Sequence, residues 1–183
     1  NKNTKNFIDI LSASVNLENV VQLTKDQDIQ TAKVFFQKDH RPYLQIAKKC
    51  FDNSSKVSFI QKFSIQYLCT HAAIMCPIRL SISHKNVFEA YYHFPVNGTL
   101  SDYICFDHEK KKSKAKALTA TQKSIIAYGI AHALNYIHQQ GYLFNGVNPK
   151  NVYLDSDFHP CLTNFYSIRK INDPLYPVSK QLT

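Results

Sequence analysis

Histidine and cysteine can bind metal ions, cysteine can act as a nucleophile, and glycine-rich loops can bind phosphates. In this sequence none of these residue types has the spacing that such a site requires. The eight histidines form no H-E-x-x-H or H-x-x-x-H pair, which is how one helix presents two ligands to a metal. The five cysteines form no C-x-x-C pair and have no evident histidine partner for thiol catalysis. The four glycines form neither a Walker loop nor a G-x-S-x-G turn. These patterns indicate neither a zinc knuckle, a disulfide framework, a thiol enzyme nor a P-loop enzyme.

The charge is strongly basic, with a formal net value of +9 from 22 basic and 13 acidic residues. Such a balance permits contact with nucleic acid, acidic protein surfaces or anionic lipid, and establishes none of them. Residues 109–116, EKKKSKAK, hold part of the excess. This run is typical of a solvated loop, and an anion-binding patch is the alternative. No apolar run reaches the ~18 residues of a membrane span. The odd number of cysteines without C-x-x-C spacing fits reduced thiols, so we expect a cytoplasmic chain.

Two pairs of short apolar runs predict β-hairpins in the first half of the chain. Residues 32–36 (AKVFF) and 43–47 (YLQIA) flank one polar turn, and residues 78–83 and 87–92 flank another. Residues 95–98, which include a proline and a glycine, break the pattern and predict a boundary between two lobes.

Two helices are also predicted. Helical spacing of large apolar residues indicates an amphipathic helix over residues 56–70. The capping box at residues 119–122 begins a second helix, which ends near Gly141. The apolar face of the second helix carries Ile126, Ile130, Leu134 and Ile137.

A small hairpin follows, with strands at residues 152–154 and 160–163 and a turn at residues 155–157. The order of these elements predicts an α+β fold with two lobes.

Residues 119–169 resemble the centre of the C-terminal lobe of a eukaryotic protein kinase. The helix ending in Tyr-Ile-His at 136–138 precedes Phe-Asn-Gly at 144–146, which stands at the H-R-D position. Asn151 stands at the catalytic-loop asparagine, and Asn-Phe-Tyr at 164–166 stands at D-F-G.

The upstream part of the chain resembles the same family. Residues 46–49 (IAKK) are similar to the V-A-I-K strand, with Lys49 at the lysine. Residues 71–75 are similar to the H-P-N-I-V turn, and residues 91–103 to the hinge and the helix after it. The resemblance covers roughly residues 20–170.

This resemblance implies a protein kinase-like, two-lobed α+β fold. Residues 1–93 would form a complete N-terminal lobe, with 1–18 extended or flexible, and residues 94–183 would form the C-terminal lobe. Because the chain ends soon after the D-F-G position, the second lobe is expected to be partial and its apolar surface uncovered. We therefore expect the chain to be poorly soluble, to self-associate through that surface, or to depend on a partner or a longer chain that covers it.

The catalytic parts implied by the resemblance differ from the family pattern. Gly146 stands at the catalytic aspartate and has no side chain to accept a proton. Asn148 stands where a lysine is common, and Asn164 replaces the metal-binding aspartate with a neutral, poorer ligand. Asn151 is retained. It is either a metal ligand, together with Asn164, or a loop asparagine that hydrogen-bonds the backbone.

The phosphate-covering loop is also altered. Residues 23–31 (LTKDQDIQT) stand at its place and contain no glycine, although backbone amides must approach phosphates closely there. Asp26 and Asp28 would instead repel a triphosphate.

Lys49 and Ala47 are the candidate nucleotide-binding residues of the first lobe. Lys49 either keeps a contact with an anion or is an ordinary strand lysine. Lys62 stands near the position of the regulatory-helix glutamate, so the usual ion pair cannot form.

These substitutions favour a catalytically inactive kinase-like domain that acts through protein partners. We expect no cofactor, no specific nucleic acid and no membrane span. A divergent protein kinase that binds ATP and Mg²⁺ weakly is the first alternative, and a non-functional truncated product is the second.

Overall fold

The computed structural model describes residues 17–25, 29–36, 41–49, 53–82, 87–104 and 118–172. The chain divides into two units. The first contains Asn1–Tyr67 and Cys76–Phe94, and the second contains Leu68–Met75 and Pro95–Thr183. The short segment Leu68–Met75, which the sequence analysis places in the first lobe, therefore packs with the second unit.

A five-stranded antiparallel sheet forms most of the first unit. Its strands are β1 (Leu17–Lys25), β2 (Ile29–Phe36), β3 (Pro42–Lys49), β4 (Arg79–Ile82) and β5 (Val87–His93). Their order across the sheet is β1-β2-β3-β5-β4. Both predicted hairpins are confirmed as the pairs β2–β3 and β4–β5. Their turns, at residues 37–40 and 83–86, lie outside the described residues.

Helix α1 (Asn53–Leu68) confirms the first predicted helix and packs on one face of this sheet. Phe59 contacts Phe63 one turn later, with ring centroids 4.1 Å apart, and Phe88 of β5 at 4.7 Å. Side chains alternate between the two faces along a strand. Phe88 and Tyr92 therefore lie on the α1 side, and Glu89 and Tyr91 lie on the opposite side.

Among its described residues, the second unit contains two helices and two small antiparallel pairs. Its elements are α2 (Ser101–Ile104), α3 (Ala120–Gln139), β6 (Tyr142–Phe144), β7 (Val152–Leu154), β8 (Pro160–Leu162) and β9 (Ile168–Lys170), with 3₁₀ turns at Pro149–Asn151 and Phe165–Ser167. The predicted hairpin is the pair β7–β8. The pairing of β6 with β9 was not predicted.

The capping box of α3 is confirmed. The Gln122 amide donates to Thr119 Oγ1 at 3.2 Å, and the Thr119 amide donates to Gln122 Oε1 at 2.9 Å. Gly141 follows the helix with φ +81°, the left-handed conformation expected at a helix C-terminus.

The apolar face of α3 is only partly covered. Ile126 and Ile137 are buried, whereas Ile130 and Leu134 are half-buried. A cavity of about 410 Å³ lies beside Ile126 and Ile130 and is also lined by Leu100, Tyr103 and Leu118. The lysine-rich run at residues 109–116 lies outside the described residues. Among the described helices, none is both long enough and apolar enough to cross a membrane.

Gly129 marks a close approach between α3 and β8. A Cβ atom at this position would lie 2.5 Å from Pro160 Cγ and 2.8 Å from Pro160 Cδ. Replacing glycine by alanine usually stabilises a helix by about 0.5–1 kcal/mol. Here Gly129→Ala is expected to destabilise the protein by about 1–2 kcal/mol, because the proline ring must move. Urea unfolding measures the change.

The matched variant is Gly129→Ala combined with Pro160→Ala, in which the obstructing ring is absent. Gly129→Ala should be neutral or stabilising in that background. A stabilising effect in the wild-type background would contradict the close approach.

Candidate functional site in the second unit

The loop between β6 and β7 is shaped by its own sequence, Asn148-Pro149-Lys150-Asn151. Pro149 is the first residue of the 3₁₀ turn, where its fixed φ is favourable and no amide is needed. Asn148 caps the turn by accepting from the Lys150 amide at 2.9 Å. The Asn151 amide donates to the Asn148 carbonyl at 2.8 Å. Asn148, predicted to replace a functional lysine, therefore has a local structural role.

Asn151 is held by a network that includes both other predicted positions of this site. Its Nδ2 donates to the Gly146 carbonyl at 2.9 Å. Its Oδ1 accepts from Asn164 Nδ2 at 3.4 Å. Its backbone carbonyl accepts from the Thr163 amide at 2.9 Å and from Thr163 Oγ1 at 3.0 Å. The structure thus brings Gly146, Asn151 and Asn164 together, and adds Thr163, which the sequence did not indicate.

Asn164 adopts the left-handed conformation, with φ 61° and ψ 50°. Asparagine tolerates this region better than most residues. The turn directs Phe165 into the interior, where it is fully buried and lies 5.2 Å from the Phe144 ring, centroid to centroid. The two aromatic rings connect the segment at the H-R-D position to the segment at the D-F-G position.

Gly146 is buried next to the Phe144 ring. A Cβ atom there would lie 3.0 Å and 3.3 Å from two ring carbons of Phe144, and 3.4 Å from the Asn164 carbonyl oxygen. Contacts below 3.4 Å require the neighbour to shift. The position therefore lacks an acidic side chain and is also packed tightly against any side chain.

The nearest carboxylates in sequence lie in the turn between β7 and β8. Asp155, Asp157 and His159 offer ligand atoms within 4.8 Å of one another. However, Asp155 Oδ1 already accepts from the amides of Asp157 at 2.9 Å and His159 at 2.8 Å, which is the usual arrangement of an aspartate in a tight turn. Asp157 and His159 are exposed. The turn is accounted for by its local hydrogen bonds.

In the first unit, the candidate nucleotide-binding residues Lys49 and Ala47 lie near the end of β3. In the pairing of β3 with β5, Ala47 lies opposite Glu89 and Lys49 lies opposite Val87. The assignment of Lys49 and Ala47 to nucleotide binding stays a prediction.

The predicted acidic replacement of the phosphate-covering loop falls between β1 and β2. β1 ends at Lys25 and β2 begins at Ile29, so Asp26 and Asp28 lie in the connection, outside the described residues. Lys62 lies on α1 and is half-buried.

Known proteins provide an independent comparison. No protein-family model matches the chain. Protein kinase 2 of Dictyostelium discoideum is 26% identical over 163 residues, which is 84% of this chain and 33% of that protein. Together with the five-stranded sheet and its helix, this similarity decides the fold. The chain has a protein kinase-like fold.

Two plant proteins are similar over shorter stretches. The probable inactive leucine-rich repeat receptor kinase XIAO of Oryza sativa is 30% identical over 74 residues, 40% of this chain and 6% of that protein. The serine/threonine-protein kinase RUNKEL of Arabidopsis thaliana is 29% identical over 97 residues, 51% of this chain and 7% of that protein. The kinase-like chain thus spans a third or less of the length of these relatives.

Proposed function

We propose that this kinase-like domain is catalytically inactive and acts by binding protein partners. The observation that carries the proposal is Gly146, which stands at the position of the general base. A positioned base contributes ~10²–10⁴ to a rate. Gly146 has no side chain, and the Phe144 ring lies 3.0 Å from the place where a Cβ atom would stand.

The asparagine pair supports the same proposal. Mg²⁺ prefers charged oxygen ligands in a nearly octahedral arrangement. Asn151 and Asn164 offer only neutral amide oxygens, and Asn151 Oδ1 accepts from the Asn164 amide group at 3.4 Å. A metal ion would have to displace this contact without the electrostatic gain of a carboxylate.

The name of the rice relative includes the words "probable inactive", and that description applies to the rice protein. A protein with 30% identity to 74 residues of this chain is thus named as a probably inactive kinase, which is in keeping with our proposal. A cytoplasmic location and a protein partner are part of our proposal for the present chain.

Phosphoryl transfer and nucleotide binding test the proposal together. We expect no transfer of γ-phosphate to generic protein substrates, and a thermal shift with ATP that is absent or the same with and without Mg²⁺. Saturation at about 100 times Kd would stabilise a genuine ATP-binding protein by about 2.7 kcal/mol.

Asn164→Ala and Asn145→Ala provide the matched pair, since Asn145 is a nearby exposed asparagine outside the Asn151 network. Transfer that is lost in Asn164→Ala but retained in Asn145→Ala would overturn the proposal. A Mg²⁺-dependent stabilisation of ~2 kcal/mol or more would favour the divergent ATP-binding kinase instead.

A further inference from the structure

Two histidines from different elements of the second unit share a hydrogen bond. His71 lies in the segment Leu68–Met75, and His132 lies on α3. His71 Nε2 and His132 Nδ1 are 2.8 Å apart, and the ring centroids are 5.1 Å apart. The sequence resemblance included His71 but gave no indication of its partner.

The surrounding hydrogen bonds fix where the protons are. The Ala73 amide donates to His71 Nδ1 at 3.0 Å, so this nitrogen carries a lone pair. A neutral His71 must then carry its proton on Nε2 and donate it to His132 Nδ1. His132 accepts at Nδ1, so when neutral it carries its own proton on Nε2. Both imidazoles are therefore held neutral and in the same tautomer.

An additional proton, which would make one imidazole positively charged, disrupts these hydrogen bonds at either ring. Protonating His71 at Nδ1 would direct an N–H group at the Ala73 amide, and protonating His132 at Nδ1 would direct one at His71 Nε2. Burial lowers the pKa of His71, and the positive charge of a protonated His132 lowers it further.

None of the elements packed around the pair supplies a carboxylate to balance a new positive charge. α3, Leu68–Met75, β6 and β8 contain no aspartate or glutamate. Tyr136 lies 5.2 Å from His71, and Tyr128 lies 5.6 Å from His132, centroid to centroid. The other titratable groups on these elements are Lys123 and His138 on α3, Tyr142 on β6, Cys69 in the segment and Cys161 on β8.

The histidine pair adjoins a backbone pairing that attaches the same segment to β8. The Leu162 amide donates to the Ala73 carbonyl at 2.8 Å, and the Met75 amide donates to the Leu162 carbonyl at 3.0 Å. Ala73 thus bonds His71 through its amide and β8 through its carbonyl. A change at His71 is transmitted directly to this pairing.

We propose that His71 and His132 form a proton-operated latch, which holds the segment Leu68–Met75 against α3 when both are neutral and releases it when His71 is protonated. The released His71 binds a proton near the ordinary value of about 6.5. The latch is intact above that pH and weakens as the pH falls below it.

The geometry favours a proton over a metal ion as the ligand of this pair. A metal at His71 Nε2 would require the ring proton to move to Nδ1, facing the Ala73 amide. The bond from Ala73 would be lost, so metal binding works against the observed hydrogen bonds.

NMR of the full chain tests the latch. Imidazole ¹H–¹⁵N spectra at about pH 7.5 should show both histidines with the proton on Nε2. The amide-exchange protection factors of Ala73 and Leu162 should fall roughly tenfold between about pH 7.5 and about pH 5.0, because the released segment binds a proton at His71 that the paired arrangement disfavours.

His71→Asn keeps an oxygen acceptor for the Ala73 amide and removes the titrating ring, so protection should become independent of pH in this range. His138→Gln, a change on α3 away from the pair, should keep the wild-type response. A His71 proton on Nδ1, a wild-type change below ~2-fold, or a response retained in His71→Asn would each overturn the proposal. The tautomer and the wild-type response decide the question even if His71→Asn fails to fold.

Discussion

Gly146→Asp is expected to destabilise the protein by about 3–5 kcal/mol rather than restore phosphoryl transfer. Position 146 is buried, and the first side-chain atom would already lie 3.0 Å from the Phe144 ring. The substitution therefore combines overpacking with an unpaired buried carboxylate. Urea unfolding and a phosphoryl-transfer assay on the same preparation measure both parts of this expectation.

Gly146→Ala separates the two causes, because it adds the Cβ atom without the charge. We expect a loss of about 1–3 kcal/mol from overpacking alone. Combining Gly146→Asp with Phe144→Leu should recover part of the loss by removing ring atoms. An active and stable Gly146→Asp protein would show that the site still accommodates a catalytic base.

Glu89→Leu is expected to destabilise the first unit by about 2–4 kcal/mol. Glu89 Oε2 accepts from Ser81 Oγ at 2.7 Å and from the Tyr91 hydroxyl at 2.8 Å. Both donors are buried, with Tyr91 fully inaccessible. Removing the acceptor takes from both hydroxyls their hydrogen bond to a carboxylate, although Tyr91 keeps its contact with Gln45 Nε2 at 3.2 Å. A buried donor that loses its acceptor costs about 1–3 kcal/mol. Chemical denaturation followed by circular dichroism gives the difference.

Glu89→Gln is the matched control, since its amide oxygen still accepts a hydrogen bond. We expect it to lose less than half as much stability as Glu89→Leu. Equal losses would show that the hydrogen bonds at Glu89 do not account for the effect.

The wild-type protein and Glu89→Gln should also differ in how their stability changes at alkaline pH. Burial, and then the Glu89 carboxylate, raise the pKa of Tyr91. An unfolded tyrosine ionises near pH ~10. The wild-type protein should therefore lose stability as the pH rises past that value, and Glu89→Gln should lose it less steeply because the repelling charge is gone.

Local patterns predicted much of the fold. The capping box Thr119–Gln122 consists of hydrogen bonds between residues three positions apart. Four consecutive residues are therefore enough to predict it. The two hairpins are likewise local, because alternating apolar residues and a polar turn determine each one. β1 and the β6–β9 pair were missed. The latter joins residues 142–144 to 168–170, and no short-range signal specifies that contact.

The candidate site was predicted in its residues but not in its packing. Family resemblance placed Gly146, Asn151 and Asn164 in one site, and the structure brings them together. Thr163 hydrogen-bonds Asn151 because the chain turns back between the two residues. No spacing rule in the sequence predicts this contact. The histidine latch had a partial signal, since Tyr128, His132 and Tyr136 recur every four residues along one side of α3.

The approach of α3 to β8 constrains how this sequence can vary over evolution. Positions 129 and 160 share one small volume, because the Pro160 ring occupies the space next to Gly129. We do not expect either residue to be invariant among homologues, because the constraint acts on the two positions together. A larger residue at 129 should be found only where 160 has lost its proline. The pair should thus covary in an alignment, with glycine retained in every sequence that keeps the proline.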